Sequence, residues 1–82
     1  MYTIEFSKTA EAKFYKLERE IQERIIAVLE RIKVRPFYFA RRVVGTQYYR
    51  LRVGDYRVIL DIRQNESIIF VIELGHRKDI YE

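Results

Sequence analysis

The sequence predicts an α+β fold of two layers, a βαα unit followed by a β-meander, whose mainly antiparallel sheet carries two helices on one face. Three observations point there. A short alternating stretch at the N-terminus gives way to helical periodicity, the second half alternates with strand period around a Gly54-Asp55 turn, and Ile68 to Leu74 is apolar on both faces, as a central strand requires. The 82 residues predict one domain spanning 1–82, near the size at which folding still leaves much surface exposed.

Each element has its own signal. Tyr2-Thr3-Ile4-Glu5-Phe6 alternates as a strand, and Ser7 or Thr9 can cap a helix over residues 8–17 that turns Phe14 and Leu17 inward. Ile21, Ile25, Val28, Leu29 and Ile32 then line one side of a second helix, which ends before Pro36. No Gly or Pro divides the two segments and Leu17 to Ile21 keeps helical phase, so one bent helix is the alternative. Residues 36–47 hold the only proline and Gly45, with Arg41-Arg42-Val43-Val44 as a short edge strand. Gln64 to Ser67 is a polar turn, and Gly75-His76-Arg77-Lys78-Asp79-Ile80-Tyr81 leaves the sheet.

The hairpin fixes the most specific expectation. A two-residue Gly54-Asp55 turn pairs Val53 with Tyr56, Arg52 with Arg57, Leu51 with Val58 and Arg50 with Ile59. Tyr49, Leu51, Val53, Tyr56, Val58 and Leu60 then share the buried face, and Arg50, Arg52 and Arg57 share the other. Like charges directly opposed across a ladder destabilise by up to about 1 kcal/mol, and the nearest acid on that face of the strand is Asp61. An external anion supplies the missing partner. The alternative is a solvated surface in which the arginine stems cover apolar neighbours.

Charge distribution narrows the partner. Five basic residues lie in the 17 positions from Arg41 to Arg57 against one acid, Asp55. The net charge is +4, with seven basic and six acidic groups in residues 1–34 and nine and six in residues 35–82. Such a one-sided excess suits a polyanion, and nucleic acid fits better than membrane because no basic amphipathic helix accompanies it. The absence of cysteine excludes disulfide scaffolds, thiol nucleophiles and thiolate metal sites. The longest apolar runs, Ile25 to Leu29 and Ile68 to Ile72, are five residues each, and no signal-peptide pattern opens the chain, which therefore reads as cytoplasmic with no membrane partner.

The available chemistry is that of phosphodiesters. The one histidine has no spaced acidic partner for a metal, neither Ser7 nor Ser67 lies in a nucleophile elbow, and no Gly-rich phosphate loop is present. No metal or cofactor is expected. Arginines bind phosphate bidentately and stabilise charge that grows in the transition state, while the 2′-hydroxyl of RNA supplies its own nucleophile.

The runs Tyr49-Arg50-Leu51-Arg52-Val53-Gly54-Asp55-Tyr56-Arg57-Val58 and Gly75-His76-Arg77-Lys78-Asp79-Ile80-Tyr81, in a βαα-meander order, resemble the RelE/ParE toxin superfamily of type II toxin-antitoxin systems, in its archaeal RelE-like branch. The resemblance covers essentially the whole chain. It implies a fold whose last strand lies beside the first, a RelB-like antitoxin that wraps the toxin, contact with operator DNA only through the antitoxin complex, and ribosome-dependent cleavage of mRNA, without metal, that inhibits translation. By position it implies catalytic roles for Arg50, Arg52, Arg57, Arg77 and Tyr81: the paired basic residues, the arginine at the scissile phosphate, a second phosphate-binding arginine, and a tyrosine for proton transfer or base stacking. Arg41, Arg42, His76 and Lys78 are the further RNA-binding candidates. The pair departs from the lysines common in the family, and arginine, with a pKa above about 12, clamps phosphate well but carries protons poorly. His76, of a residue type titrating near about 6.5, can fill that gap, the alternative being a structural histidine. For Tyr81 the alternative is a surface tyrosine on the sheet edge. Two other functions share the fold: a ParE-like poison of DNA gyrase, and a non-catalytic member that binds antitoxin and DNA.

Overall fold

The computed structural model describes residues 1–76 and Lys78. The chain forms β1 (Thr3–Phe6), α1 (Lys8–Tyr15), α2 (Arg19–Ile32), a one-turn α3 (Pro36–Phe39), β2 (Arg41–Arg42), β3 (Tyr49–Val53), β4 (Tyr56–Arg63), a 3₁₀ turn (Gln64–Glu66) and β5 (Ile68–His76). The α+β class and the βαα-meander order are those expected. The sheet order is β1-β5-β4-β3-β2, with β1 parallel to β5 and every other pair antiparallel. The last strand lies beside the first, and β5 is an interior strand between β1 and β4.

Among the described residues the helices cover one face of the sheet only. Ala10 and Phe14 of α1 and Ile25, Leu29 and Ile32 of α2 pack on Leu51, Val53, Val58, Leu60, Ile69, Val71 and Leu74 of the sheet. The i, i+4, i+3 spacing of the α2 residues puts them on one stripe, and the period-2 spacing of the strand residues puts them on one face, so the core is where two periodicities meet. The hairpin register agrees rung by rung with the sequence expectation, from Val53–Tyr56 to Arg50–Ile59. Gly54 has φ +60° and is the only residue of the turn pair with positive φ, the arrangement of a type II′ turn, which needs glycine at that place.

Three boundaries differ from the sequence reading, and a one-turn helix is added at Pro36, before which α2 ends as expected. Helix α1 stops at Tyr15 rather than residue 17, because the Lys16 and Leu17 N–H groups turn back to Lys13 and Phe14 carbonyls at 3.2 and 3.1 Å, and Glu18 is extended at ψ 148°. Gln22 Nε2 donates to the Leu17 carbonyl at 2.9 Å, filling the exposed helix end, so two helices form rather than one bent helix. The edge strand is only Arg41–Arg42, since the Val43 carbonyl is taken by the Thr46 N–H and Thr46 Oγ1, at 3.1 and 2.9 Å, in a turn that closes on Tyr48. Pro36 both ends the α2 segment and opens α3, where its missing N–H costs nothing at the first helical position. Finally, Gly75 and His76 stay in β5, paired with Arg57 and Tyr56.

A bulge near the middle of β5 ties the layers together. Ile59 pairs with Glu73 and Leu60 with Val71, so Ile72 faces no residue of β4. Its carbonyl accepts instead from Ser7 Oγ at 3.0 Å, and Ser7 Oγ also accepts from the Ala10 N–H at 3.0 Å as the N-cap of α1. One hydroxyl thereby caps the helix and satisfies the bulged strand.

Candidate nucleic-acid interface

The face of the sheet away from the helices carries an arginine row. Arg41 of β2 pairs with Arg50 of β3, Arg52 pairs with Arg57 of β4, and side-chain alternation puts all four on this face. Alternation around the hairpin groups Arg50, Arg52 and Arg57, and the pairing with Arg50 adds Arg41. Arg41 and Arg52 are exposed, whereas Arg50 and Arg57 are half-buried. Arg57 Nε is shut off from solvent, so its guanidinium is held by its surroundings rather than swinging in water. Across from Arg57 on β5 stands Gly75.

Asp61, the next acid along β4 on this face, is paired with Arg63. Asp61 accepts from Arg63 Nε at 3.2 Å, Arg63 also approaches Glu66 at 3.9 Å, and its guanidinium lies over the Phe70 ring at 5.5 Å from the centroid. Arg63 thus takes up the carboxylates at the far end of β4. Arg41 and Arg52 have no ion pair among the described residues. Together with Phe39, Arg41, Arg50 and Arg52 line a depression of about 220 Å³.

Of the other candidates, Arg42 lines a separate depression of about 200 Å³ with Val43, Val44 and Arg50. Arg42 pairs with Tyr49 rather than Arg50, and its Nε donates to the Thr46 carbonyl at 3.1 Å, bracing the loop that follows β2. His76 pairs with Tyr56, a residue of the helix-covered face, and the two rings meet edge to face at 5.4 Å. It lines a second depression with Lys13, Lys16 and Leu17 of the α1 segment, on the opposite side of the sheet from the arginine row. The Lys78 N–H donates to His76 Nδ1 at 3.3 Å, and its side chain is exposed. The arginine row and His76 are therefore separated by the sheet. Arg77 and Tyr81 lie outside the described residues. Among the described residues no group of three or more His, Asp or Glu is arranged to hold a metal ion, and no helix is long and apolar enough to cross a membrane.

One contributor escaped the sequence reading. Phe39 sits on the rim of the arginine depression at 40% exposure, beside Tyr38 at 75%. The signal was the run Phe37-Tyr38-Phe39 just before Arg41-Arg42, aromatic residues next to basic ones. A loop reading of the segment gave no way to tell which ring would turn toward which face.

A two-layer fold with a parallel β1–β5 pair and an antiparallel meander is the fold of RelE toxins. The crystal structure of the archaeal RelE-RelB complex from Pyrococcus horikoshii OT3 superposes with a TM-score of 0.81 at 23% identity, covering 96% of this chain and 98% of that chain. Isolated E. coli RelE gives 0.84 at 22% identity, over 93% of this chain and 84% of that one. The RelB-RelE antitoxin-toxin complex from Methanococcus jannaschii gives 0.74 at 25% identity, over 95% of both. No curated protein sequence matches the chain significantly. The family described as ParE toxin of type II toxin-antitoxin system, parDE, matches residues 4–81, and the chain belongs to that family, within the RelE/ParE superfamily.

Proposed function

We propose that this protein is the toxin of a RelBE-type system, acting over residues 1–82 as an mRNA endoribonuclease that works at the ribosome without a metal ion and so inhibits translation. The observation that carries the reading is the cross-strand row of Arg41, Arg50, Arg52 and Arg57 on the uncovered face. Arg50, Arg52 and Arg57 clamp the phosphates about the scissile bond, and Arg41 extends the track along the strand. Guanidinium groups are strong, permanently charged bidentate donors, so several converging on one phosphorus lower the cost of charge growing on its oxygens. The substrate's 2′-oxygen bonds to phosphorus as the bond to the 5′-oxygen breaks. The 2′-hydroxyl gives up its proton and the departing 5′-oxygen gains one, leaving a 2′,3′-cyclic phosphate and a 5′-hydroxyl. Arg77 and Tyr81 are the family-based candidates for the second phosphate contact and for proton transfer or stacking.

The partner is a RelB-like antitoxin, as in the complexes of similar fold. Its apolar residues meet the helix side, where Phe14 and Ile26 line a groove of about 400 Å³, and its acidic residues cover the arginine row. Primer extension on mRNA from a translation reaction tests the activity. New cleavage ends that persist in EDTA, with ribosome integrity checked separately, are expected; loss of the cleavage step itself on chelation would defeat the metal-independent reading. The ParE description of the matching family favours a second reading, a DNA gyrase poison. Gyrase-linked DNA breaks with no new mRNA ends would establish it instead.

A further inference from the structure

We propose that Phe39 is a base-stacking platform, so that the depression it forms with Arg41, Arg50 and Arg52 binds one nucleotide of a single-stranded RNA, base on the ring and phosphates on the guanidinium groups. The proposal rests on the RNA-cleaving reading and names the subsite that reading lacks.

The placement of the ring carries the argument. Phe39 is the last residue of α3, anchored on both sides: the Ala40 N–H donates to the Pro36 carbonyl at 3.0 Å, and both Pro36 and Ala40 are buried. Tyr38 meets the Phe39 ring edge to face, with centroids 5.0 Å apart and planes at 76°, while Phe37 makes the same kind of contact with Tyr49 at 5.3 Å. The short helix is thus pinned at Pro36, Phe37 and Ala40, and Phe39 lines the same depression as three arginines. An exposed ring contributes nothing to a phosphate clamp, and an apolar neighbour disfavours water beside the cations. A nucleotide, however, offers phosphate to the guanidinium groups and a π-face to the ring. Duplex RNA keeps its base faces stacked and out of reach, so the arrangement selects a single strand.

The chain contains no tryptophan, so Phe39→Trp places a single indole reporter at the site. The probes are a single-stranded RNA dodecamer, the same sequence as a duplex, inorganic polyphosphate and poly-glutamate, each added to the purified full chain. Saturable quenching of the indole by the single strand, and none by polyphosphate that still binds, is the expected result. Phe39→Leu keeps an apolar side chain without the π-face; it should bind the single strand about 5- to 150-fold more weakly, the range expected for one stacked base. Its polyphosphate affinity should be unchanged, and an unaltered thermal melt shows that the variant is folded. Wild-type affinity of Phe39→Leu for the single strand would overturn the proposal and leave a phosphate clamp alone. A loss confined to poly-glutamate would overturn it in favour of an acidic protein segment. If the wild-type chain binds neither RNA nor polyphosphate, the RNA reading itself falls and the platform with it. If binding depends on Phe39 but no RNA is cut, the platform stands and the nuclease reading falls.

Discussion

Arg52 of β3 and Arg57 of β4 face each other directly across one rung of the hairpin. The pairing opposes two positive charges on one rung. The two ends of the rung are also unlike: Arg52 is exposed, whereas Arg57 is half-buried with its Nε enclosed. Arg57 is the fixed member, and Arg52 the one that can move toward a ligand.

Replacing Arg52 tests that division. Arg52→Ala should leave stability unchanged or raise it by a few tenths of a kcal/mol, because it relieves repulsion on the rung. RNA affinity should fall at the same time, with the slope of log K against log salt reduced by about 0.7 for one lost contact to a single strand. Thermal melts and salt titrations of binding give both numbers. An unfolded variant with unaltered binding per folded molecule would mark the arginine as structural.

Gly54 sets the register that creates the rung. Its φ of +60° is costly for any side chain, and a Cβ there would come within 3.3 Å of Arg24 Nη1 on α2, a flexible group that can yield. Gly54→Ala should therefore cost about 1–2 kcal/mol, chiefly through the backbone. Chemical denaturation measures the loss. Cleavage by the folded fraction should fall too if the turn relaxes and shifts Arg52 against Arg57.

Ser7 joins the α1 cap to the β5 bulge through two 3.0 Å hydrogen bonds. Ser7→Ala removes both, and a drop of about 1–2 kcal/mol is expected. In a domain of this size each kcal/mol corresponds to a Tm change of about 4–8 °C. RNA binding per folded molecule should be unaltered, since the arginine row stands on β2, β3 and β4.

His76 lies on the helix-covered side of the sheet, in edge contact with Tyr56. His76→Gln should consequently leave the single-turnover cleavage rate and its pH profile intact. A pH-profile limb present in the wild-type chain and lost in the variant would return the imidazole to proton transfer. With the limb unchanged, Tyr81, substrate, water and the ribosome are the remaining proton carriers.

The sequence by itself determined the hairpin face and the order of elements. Alternation has a period of two and the Gly54-Asp55 turn admits one register, so Arg50, Arg52 and Arg57 had to share a face once Leu51 and Val58 were buried. Local spacing could not assign residues whose neighbours come from distant segments. Arg41 and Arg42 are adjacent and alike in sequence, yet pairing with Arg50 or Tyr49 sends one to the arginine row and the other toward the Thr46 carbonyl. The sequence places His76 in a segment leaving the sheet, but two further rungs with β4 hold it on the opposite side from the arginines. Phe39 acquired its place from a one-turn helix fixed by Pro36, Phe37 and Ala40. Tertiary pairing decided these positions because a strand's two faces are equivalent until a neighbouring strand or helix covers one of them.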